Sequence, residues 1–272
     1  GGSIDFMIVA SAPIDKGVLD FFKIVFSCPV MEAYGMTEIA GGLTISSPND
    51  DAGHVGTPLS ALEYKLRDVP ELNYLTKGDV PRGEIVCRGN TTFQGYLNNP
   101  EETNAMIDSD GWISTGDIGI LLPGNKLKII DRKKNIFKLS QGEYVAPEKV
   151  ENILKLNNKI FQSYVYGNSV QSYVVALIVI DSTIAQNYAK DNGISFNDLD
   201  ELLNHEKMIK HYLDEVTQTC KRGKLLLYEI PQKILLTYDQ FTIENGMLTV
   251  TMKAMRSNIR KKWDEKLNAL YN

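Results

Sequence analysis

The run from Asp110 to Glu151, DGWISTGDIGILLPGNKLKIIDRKKNIFKLSQGEYVAPEKVE, most constrains what this chain can fold into. It places an acidic turn, a short apolar strand, a charged cluster, a polar loop and a helix start in close succession. Thr115-Gly116-Asp117 predicts a turn, because glycine tolerates positive φ and the aspartate carboxylate accepts from nearby amides. A carboxylate fixed in this way can accept two hydrogen bonds, and the vicinal hydroxyls of a ribose offer two.

The apolar segment from Leu127 to Ile130 predicts a buried strand. This strand delivers Asp131 and Arg132 to its end, where side chains commonly meet ligands. Three lysines follow at once, Lys133, Lys134 and Lys138. Their positive charge suits phosphate or carboxylate groups, and it equally suits an exposed basic turn that binds nothing.

Composition narrows the class of protein. The chain has 272 residues, enough for one large or two ordinary domains, and 43% apolar with 23% charged residues is normal for a globular protein. A net charge of -5 argues against nucleic acid as a partner. Three widely spaced cysteines predict neither a disulfide framework nor a zinc site, so we expect a reducing compartment. No apolar run reaches membrane-spanning length.

The first 50 residues predict alternating strands and helices. Residues 4–10 read as a core strand, and this abrupt start leads us to expect a piece of a longer protein. A further strand, residues 28–33, leads into Tyr34-Gly35-Met36-Thr37-Glu38. Glycine beside an aromatic ring lets backbone approach a flat ligand, and the hydroxyl and carboxylate behind it suit phosphate and its metal. An ordinary loop is the alternative for this pentapeptide.

The remaining segments predict two different kinds of sheet. Residues 53–88 alternate between short strands and turns, which favours a small barrel or a distorted sheet. Residues 172–181 are almost continuously apolar, which predicts a strand buried on both faces. We interpret the three histidines, His54, His205 and His211, as structural, because no nucleophile or metal partner lies at a recognisable spacing.

Lys253 stands at the end of the uncharged stretch Gly246 to Met252. From its position alone, it fits the first residue on the exposed face of the terminal amphipathic helix. A functional lysine is the alternative.

The runs DGWISTGDIG, LKIIDRKK and KLSQGEYVAPEKVE resemble the signature region of long-chain fatty acyl-CoA synthetases, which belong to the adenylate-forming superfamily. The resemblance implies α/β and α+β architecture. Residues 1–131 would be the C-terminal remnant of the large adenylation domain, with a strand-helix part at about 1–50 and a distorted, β-barrel-like subdomain at about 51–131. Residues 132–272 would be a small, mobile α+β C-terminal domain.

The resemblance also assigns roles to individual residues. Thr37, Glu38 and Lys253 would be catalytic, with Glu38 holding Mg²⁺, and Lys134 would be the hinge. Tyr34 would stack on adenine, Thr37 would bind phosphate, and Asp117 with Arg132 would clamp the ribose. The full set of nucleotide- and CoA-binding positions would be Ser11, Ala12, Pro13, Tyr34, Gly35, Met36, Thr37, Asp117, Ile129, Arg132, Lys138, Gly142 and Glu143. Two positions depart from the family pattern, Val250 where proline is frequent and Ser114 where histidine is common.

The implied reaction is ATP-dependent ligation of a long-chain fatty acid to coenzyme A. The fatty carboxylate attacks the α-phosphate of ATP, and the CoA thiol then attacks the acyl-adenylate. Rotation of the small domain about Lys134 would replace Lys253 with the Ser140 to Glu143 loop, which would line the CoA tunnel. The implied partners are therefore fatty acid, ATP, Mg²⁺ and CoA, with no nucleic acid.

The phosphate loop of the family, rich in Ser, Thr and Gly and ending in Pro-Lys-Gly, does not occur in these 272 residues. We therefore expect an upstream part of the same enzyme as a further partner, and little or no activity from the chain alone. Two alternatives stay open, a fatty acyl-AMP ligase that loads a carrier protein and a non-catalytic nucleotide-binding module. We expect a location in the cytoplasm or at the cytoplasmic face of a membrane, with peripheral association through a region outside this chain.

Overall fold

The chain divides into two units, Gly1–Lys134 and Asn135–Asn272, called here the first unit and the second unit. A computed structural model describes residues 2–12 and 14–272. The domain boundary predicted from the sequence, between residues 131 and 132, falls inside the last strand of the first unit, which ends at Arg132.

The first unit begins with a four-stranded mixed sheet. Its elements are β1 (Met7–Val9), α1 (Lys16–Phe26), β2 (Val30–Met36), a 3-10 helix (Thr37–Ile39), β3 (Gly41–Ile45) and β4 (Thr57–Pro58). β1 pairs parallel with β2, whereas β3 and β4 continue the sheet antiparallel. α1 starts at Asp15, whose carboxylate accepts from the Val18 backbone N–H at 3.2 Å, as expected of a helix N-cap.

The sequence predicted a buried strand over residues 4–10, and the prediction of burial was wrong. The strand spans only Met7–Val9, and Ile4, Phe6 and Ile8 are 51%, 57% and 51% exposed. On α1, Leu19 is buried, whereas most of the other large apolar side chains are exposed: Val18, Phe21, Ile24, Val25 and Phe26. The apolar pattern was correct, but only part of this helix face is covered by described residues.

A second sheet of the first unit contains β5 (Leu62–Arg67), β6 (Arg82–Gly89), β7 (Ile113–Leu122) and β8 (Lys126–Arg132). A 3-10 helix (Pro70–Leu72) follows β5, and α2 (Pro100–Met106) precedes β7. All neighbouring strands are antiparallel, and the order is β5-β6-β7-β8. The predicted barrel is therefore not closed, since β5 and β8 are the two edges. Alternation reports which side chains face a core, but it does not report whether the outer strands meet.

Thr115-Gly116-Asp117 is not the turn that its composition predicted. These residues lie inside β7 as a bulge, because Ser114 pairs with Val86 and Ile118 already pairs with Glu84. Gly116 has φ 71°, a conformation that glycine adopts without strain. The bulge lets one extra pair of residues protrude without ending the strand.

The second unit is built around the sheet β11-β12-β13. The strands of the second unit are β9 (Phe137–Lys138), β10 (Tyr144–Val145), β11 (Gln162–Tyr166), β12 (Val175–Val179) and β13 (Lys233–Thr237). Its helices are α3 (Pro147–Leu154), α4 (Ser182–Asp191), α5 (Leu199–Asn204), α6 (Glu206–Arg222) and α7 (Arg256–Ala269), with a 3-10 helix at Leu227–Glu229. β9 and β10 form a separate antiparallel hairpin.

Both faces of β12 are buried, as its continuous apolar sequence predicted. Ala176 and Ile178 join a core with side chains of α3, α4, α5 and α6. Val175, Leu177 and Val179 join a second core with Ile259, Trp263 and Leu267 of α7. The strand is central because it pairs antiparallel with β11 and parallel with β13. No helix of the described residues has the length and apolarity needed to cross a membrane.

Candidate functional site

Asp117 is held by the bulge in β7 and by the neighbouring strand. Its backbone N–H donates to the Thr115 hydroxyl at 3.1 Å, and that hydroxyl donates to the Ile85 carbonyl at 2.8 Å. The backbone N–H of Lys133 donates to the Gly116 carbonyl at 2.8 Å. Asp117 lies directly opposite Arg132 in the β7-β8 pairing. The hairpin therefore brings these two predicted site residues together.

The Asp117 carboxylate meets a hydroxyl and a guanidinium. The Tyr34 hydroxyl donates to Asp117 Oδ2 at 2.6 Å, and Arg132 Nε lies 3.6 Å from Asp117 Oδ1. Burial and the neighbouring Asp117 charge raise the pKa of Tyr34 far above its usual range, so this hydroxyl remains a donor. The Asp117 side chain is 15% exposed and that of Arg132 48%. A partly accessible carboxylate beside an accessible guanidinium suits a polyhydroxylated or anionic ligand.

Tyr34, Gly35 and Met36 lie in β2 and not in a loop. An added Cβ at Gly35 would lie 1.6 Å from the Gly41 carbonyl oxygen, so no other residue fits between these two strands. Ile129 of β8 packs against the same hydrophobic cluster as Tyr34 and Met36. Side-chain packing and the close approach of the strands therefore hold Tyr34 in place.

Thr37 and Glu38 follow in the 3-10 helix. Thr37 is exposed and Glu38 is half-buried. The Tyr96 hydroxyl donates to Glu38 Oε1 at 2.7 Å, and the Phe93 backbone N–H donates to the Glu38 carbonyl at 2.8 Å. Burial and the Glu38 carboxylate raise the pKa of Tyr96 to about 12. Glu38 is thus held at both its backbone and its side chain.

One carboxylate can serve as the only protein ligand of Mg²⁺ when the substrate supplies further oxygen ligands. The described residues contain no group of three or more His, Cys, Asp or Glu side chains arranged for a metal. Glu38 retains free lone pairs beside its bond to Tyr96, since a carboxylate offers about four acceptor positions. The site therefore fits a metal that is bound mainly through phosphate.

The other predicted positions of the first unit lie on its surface. Ser11 and Ala12 are exposed after β1, and Ser11 has φ 75°. Pro13 lies outside the described residues. Lys134 is exposed in a turn that follows β8. Lys133, by contrast, forms ion pairs with Glu71 at 3.0 Å and Glu84 at 3.6 Å, so this lysine stabilises the strand end.

In the second unit, Lys138 and the Gly142-Glu143 pair lie on one hairpin. Lys138 is exposed in β9, with its Nζ 5.2 Å from the centroid of the Tyr144 ring. Gly142 has φ 97°, and the Leu139 N–H donates to the Glu143 carbonyl at 2.8 Å to close the turn. This polar loop is exposed and well defined by hydrogen bonds.

Lys253 closes a small loop that begins at Thr249. The Thr249 N–H donates to the Lys253 carbonyl at 2.8 Å, and the Lys253 N–H donates to the Thr249 hydroxyl at 3.0 Å. Met252 has φ 61°, which allows the tight reversal. The Lys253 side chain is exposed, and no carboxylate of a described residue lies within ion-pair distance. Lys253 precedes α7, so it is not a residue of that helix.

Two contacts were not predicted from the sequence. The Tyr34 hydroxyl and Asp117 are 83 positions apart, and the Tyr96 hydroxyl and Glu38 are 58 positions apart. Glycine-tyrosine at 95–96 was the only local signal for Tyr96. The packing of the second unit does not require its histidines to bind a ligand. In the first unit, His54 is buried, and its Nδ1 accepts a hydrogen bond from the Gly56 N–H at 3.0 Å.

Comparison with known proteins identifies the class. Residues 1–97 match the family described as AMP-binding enzyme. The structure resembles the adenylation domain of a carboxylate reductase from Mycobacterium chelonae, with TM-score 0.82 and 33% identity over 97% of this chain and 38% of that one. A second, the A domain of carboxylic acid reductase from Segniliparus rugosus in complex with AMP and a co-purified carboxylic acid, has TM-score 0.81 and 31% identity, with 97% and 38% coverage. The chain is therefore similar to AMP-binding, adenylate-forming enzymes in both sequence and fold.

Within that class, the chain is similar to long-chain acyl-CoA ligases along its whole length, which confirms the resemblance seen in the sequence. It is 43% identical to long-chain-fatty-acid–CoA ligase 5 of Rattus norvegicus over 272 residues. It is 41% identical to the peroxisomal long chain acyl-CoA synthetase 7 of Arabidopsis thaliana over 273 residues. Both alignments cover 100% of this chain and 39% of the relative, so the chain spans well under half the length of these proteins.

Proposed function

We propose that this chain carries part of the active site of an AMP-forming long-chain fatty acid–CoA ligase. The observation that carries the proposal is the Tyr34-Asp117-Arg132 group. The Tyr34 hydroxyl donates to the Asp117 carboxylate at 2.6 Å, and Arg132 Nε lies 3.6 Å from the same carboxylate. Identity of 41–43% over the full chain to proteins with that printed activity supports the choice of substrate class. The domain assignment 1–131 and 132–272 belongs to this proposal.

Asp117 accepts hydrogen bonds from the ribose hydroxyls of ATP, and Arg132 donates to the same sugar. The Tyr34 hydroxyl donates to Oδ2 of Asp117, and a carboxylate accepts several hydrogen bonds, so Asp117 also accepts from the ligand. The Tyr34 ring, with Gly35 and Met36, forms the surface on which adenine lies. Ser11, Ala12, Pro13 and Ile129 complete that surface.

Thr37 donates to the phosphates, and Glu38 is the protein ligand of Mg²⁺. When bound there, Mg²⁺ offsets the negative charge that develops on the phosphate oxygens. Tyr96 keeps the Glu38 carboxylate in one orientation through its 2.7 Å hydrogen bond.

In the first step, a fatty carboxylate oxygen attacks the α-phosphorus, an O–P bond forms, and the bond to pyrophosphate breaks. Lys253 stabilises the added negative charge. Its ammonium is available for this role, since it is exposed and has no carboxylate partner among the described residues. In the second step the CoA sulfur attacks the acyl carbonyl and AMP leaves. Lys138, Gly142 and Glu143 contact CoA in that step, and Lys134 is the hinge between the two steps.

The test uses the protein expressed from its complete open reading frame. Two rates are measured separately, fatty-acid-dependent ATP–pyrophosphate exchange and CoA ester formation from supplied acyl-adenylate. Lys253→Ala should lower exchange by about 100-fold or more, whereas ester formation from acyl-adenylate stays within a few-fold. Lys207→Ala, which removes an exposed lysine of α6, is the matched control. Equal losses in both rates in Lys253→Ala would refute the role of this lysine.

Transfer to a carrier protein is the second candidate. One structural relative is the A-PCP didomain of carboxylic acid reductase from Segniliparus rugosus, with TM-score 0.80 and 31% identity. The acceptor decides between the two functions. We expect CoA to discharge the acyl-adenylate at least tenfold faster than a phosphopantetheinylated carrier, and the reverse order would favour the acyl-AMP ligase.

The proposed location is the cytoplasm or the cytoplasmic face of a membrane. The reaction needs a supply of ATP and CoA. Three buried cysteines without disulfide bonds are consistent with a reducing compartment. Peripheral membrane association would involve residues outside this chain. Fractionation of cells that express the complete protein tests this location.

A further inference from the structure

Glu151 of α3 and Arg256, the first residue of α7, form a buried ion pair in the second unit. One guanidinium nitrogen of Arg256 lies 2.7 Å from Glu151 Oε1 and 2.9 Å from Oε2. The two side chains are 8% and 16% exposed. A fork-shaped donor held by a buried carboxylate has little freedom to rotate.

The same pair also covers the free edge of β11. Arg256 donates to the Val165 carbonyl at 2.7 Å, and the Val165 N–H donates to Glu151 Oε1 at 2.7 Å. β11 is an edge strand, so these two backbone groups have no neighbouring strand to bond with. The Arg256 guanidinium also lies 4.5 Å from the centroid of the Tyr164 ring. Arg256 is therefore fixed by one helix, one strand and one aromatic ring.

The two ends of the loop that carries Lys253 are joined by backbone, since Leu248 bridges Ala254 and the Met255 N–H donates to the Met247 carbonyl at 2.8 Å, but their side chains are anchored differently. Its entry is held by Met247 and Leu248, whose side chains are buried in the α7 core. After Leu248, the side chains from Val250 to Ala254 are exposed, and Met255 is only half-buried. The first strongly held side chain on the exit is that of Arg256. Arg256 lies three positions after Lys253, a distance of at most about 10 Å along the chain.

We propose that Arg256, held by Glu151, is a positioning residue that fixes the exit of the Lys253 loop and so aims the Lys253 ammonium. The inference rests on the proposed role of Lys253 in the adenylation step. Precise orientation matters in such a step, because a displacement of about 1 Å can cost on the order of 100-fold in rate. Glu151 and Arg256 act through Lys253 and do not touch the reacting atoms.

A plain structural role makes a different prediction, and the chain offers a matched pair for comparison. Lys149 Nζ lies 2.6 and 2.9 Å from the two carboxylate oxygens of Glu229, whose side chain is 5% exposed. This pair also lies in the second unit, involves a buried carboxylate and stabilises a backbone N–H, that of Leu226 at 2.8 Å. It does not contact the Lys253 loop. Loss of stability alone should therefore lower both half-reactions for either pair, and by less for the Lys149 pair, because Lys149 is 43% exposed and Arg256 only 16%.

Two variants of the pair separate misfolding from misplacement. Arg256→Lys keeps the positive charge and removes the fork. Glu151→Gln/Arg256→Met removes both charges, which avoids a buried carboxylate without a partner. Burial raises the pKa of Glu151 and Arg256 opposes that shift, so removal of Arg256 alone would raise the pKa of this carboxyl further. The control variants are Lys149→Arg and Lys149→Met/Glu229→Gln.

The experiment measures both half-reactions in the complete protein, with deuterium uptake of residues 249–255 as a readout independent of activity. Arg256→Lys should lower pyrophosphate exchange by about tenfold to 100-fold, keep ester formation from acyl-adenylate within about twofold, and speed deuterium uptake in that segment. The double variant should behave likewise, and the Lys149 variants should show neither effect.

Equal loss in both half-reactions, or the same pattern in the Lys149 variants, would overturn the inference. So would unchanged uptake over residues 249–255. If Lys253→Ala lowers exchange selectively and Arg256→Lys does not, only the positioning role fails. If Lys253→Ala itself has no selective effect, the proposed function of the lysine and the inference fail together, although faster uptake in Arg256→Lys would still identify the anchor.

Discussion

Two tyrosine hydroxyls hold the two carboxylates of the candidate nucleotide site. Tyr34 donates to Asp117 at 2.6 Å and Tyr96 donates to Glu38 at 2.7 Å. Burial, with the neighbouring carboxylate, raises the pKa of both tyrosines, that of Tyr96 to about 12. Both hydroxyls therefore stay protonated, and both carboxylates keep a donor, at any pH near neutrality. Neither tyrosine needs to titrate during the reaction.

Tyr96→Phe should raise the Mg²⁺ concentration needed for half-maximal adenylation by about tenfold, since loss of an outer hydrogen bond commonly weakens a metal site 10–100-fold. The rate at saturating Mg²⁺ should change little. Titration of pyrophosphate exchange with Mg²⁺ checks this expectation. Tyr64→Phe is the control, because its hydroxyl bonds the Asn125 carbonyl at 3.2 Å, away from Glu38. An unaltered Mg²⁺ requirement in Tyr96→Phe would contradict the role of its hydroxyl.

Cys220 of α6 makes stability depend on alkaline pH. Burial raises the pKa of its thiol to about 12 from an ordinary value of 9.0. Because the folded-state pKa is the higher one, the unfolded chain loses this proton first. The thiol's contribution is therefore complete below pH 9 and decreases as the pH rises from 9 toward 12.

We expect the free energy of unfolding to fall over this range by up to about 1.4 kcal/mol per pH unit from this thiol. Urea denaturation at pH 8.5 to 10.5 measures the slope. Cys220→Ala should be less stable at pH 8.5 and should show a shallower decrease, although the tyrosines still titrate. A slope as steep as that of the wild type would show that the thiol is not responsible.

At the scale of elements, the approach of β2 to β3 depends on Gly35. The pairing shifts register between Tyr34 and Gly35, and an added Cβ would meet the Gly41 carbonyl oxygen at 1.6 Å. Backbone has little room to move there, so the strands must separate if the side chain grows. Such a shift would also move Tyr34 away from Asp117.

Gly35→Ala should destabilise the protein by about 3 kcal/mol, near the upper end for overpacking, and should weaken AMP binding. Gly42→Ala is the matched control, since its Cβ would meet only the flexible end of Leu59 at 2.9 Å and should cost under about 1 kcal/mol. Thermal melting and calorimetric titration with AMP compare the two variants. Similar effects of both substitutions would argue against the close strand contact.

The Thr115-Gly116-Asp117 bulge illustrates what local sequence can predict. The residues correctly predicted positive φ at Gly116 and a fixed backbone at Asp117. They also predicted a turn, which was wrong, because pairing with β6 continues on both sides of the bulge, and pairing with β8 begins at Asp117. A bulge and a turn need the same local residues, and the choice between them is made by distant strands. For the same reason, alternation predicted the strands of this sheet but not its open edges.

At the scale of the whole molecule, the second unit has the properties of an independent domain. Its central sheet is covered on both faces by separate cores, whereas the first unit exposes several large apolar side chains of α1. Exposed apolar patches of this kind favour association. In the second unit, the continuous apolar sequence of β12 predicted its burial, and amphipathic spacing predicted the terminal helix, although contacts such as Glu151–Arg256 join residues 105 positions apart. The site of the first unit was predictable only through family resemblance, since its hydrogen bonds join residues up to 83 positions apart.

Residues 135–272 expressed alone should fold as a soluble monomer with one cooperative melting transition. Residues 1–134 alone should associate or precipitate. Circular dichroism and analytical ultracentrifugation of both pieces, with the 272-residue chain as reference, test this division. A non-cooperative melt of 135–272 would show that this unit needs the rest of the protein to fold.

The Glu151–Arg256 pair has a consequence for how this sequence can diverge. Loss of either member leaves a buried charge without its partner, which typically costs about 3–5 kcal/mol, whereas joint replacement by apolar residues is often neutral. We therefore expect single substitutions to be disfavoured, and the two positions, 105 residues apart, to change together in related sequences. Variation at one end of the second unit is thus tied to variation at the other.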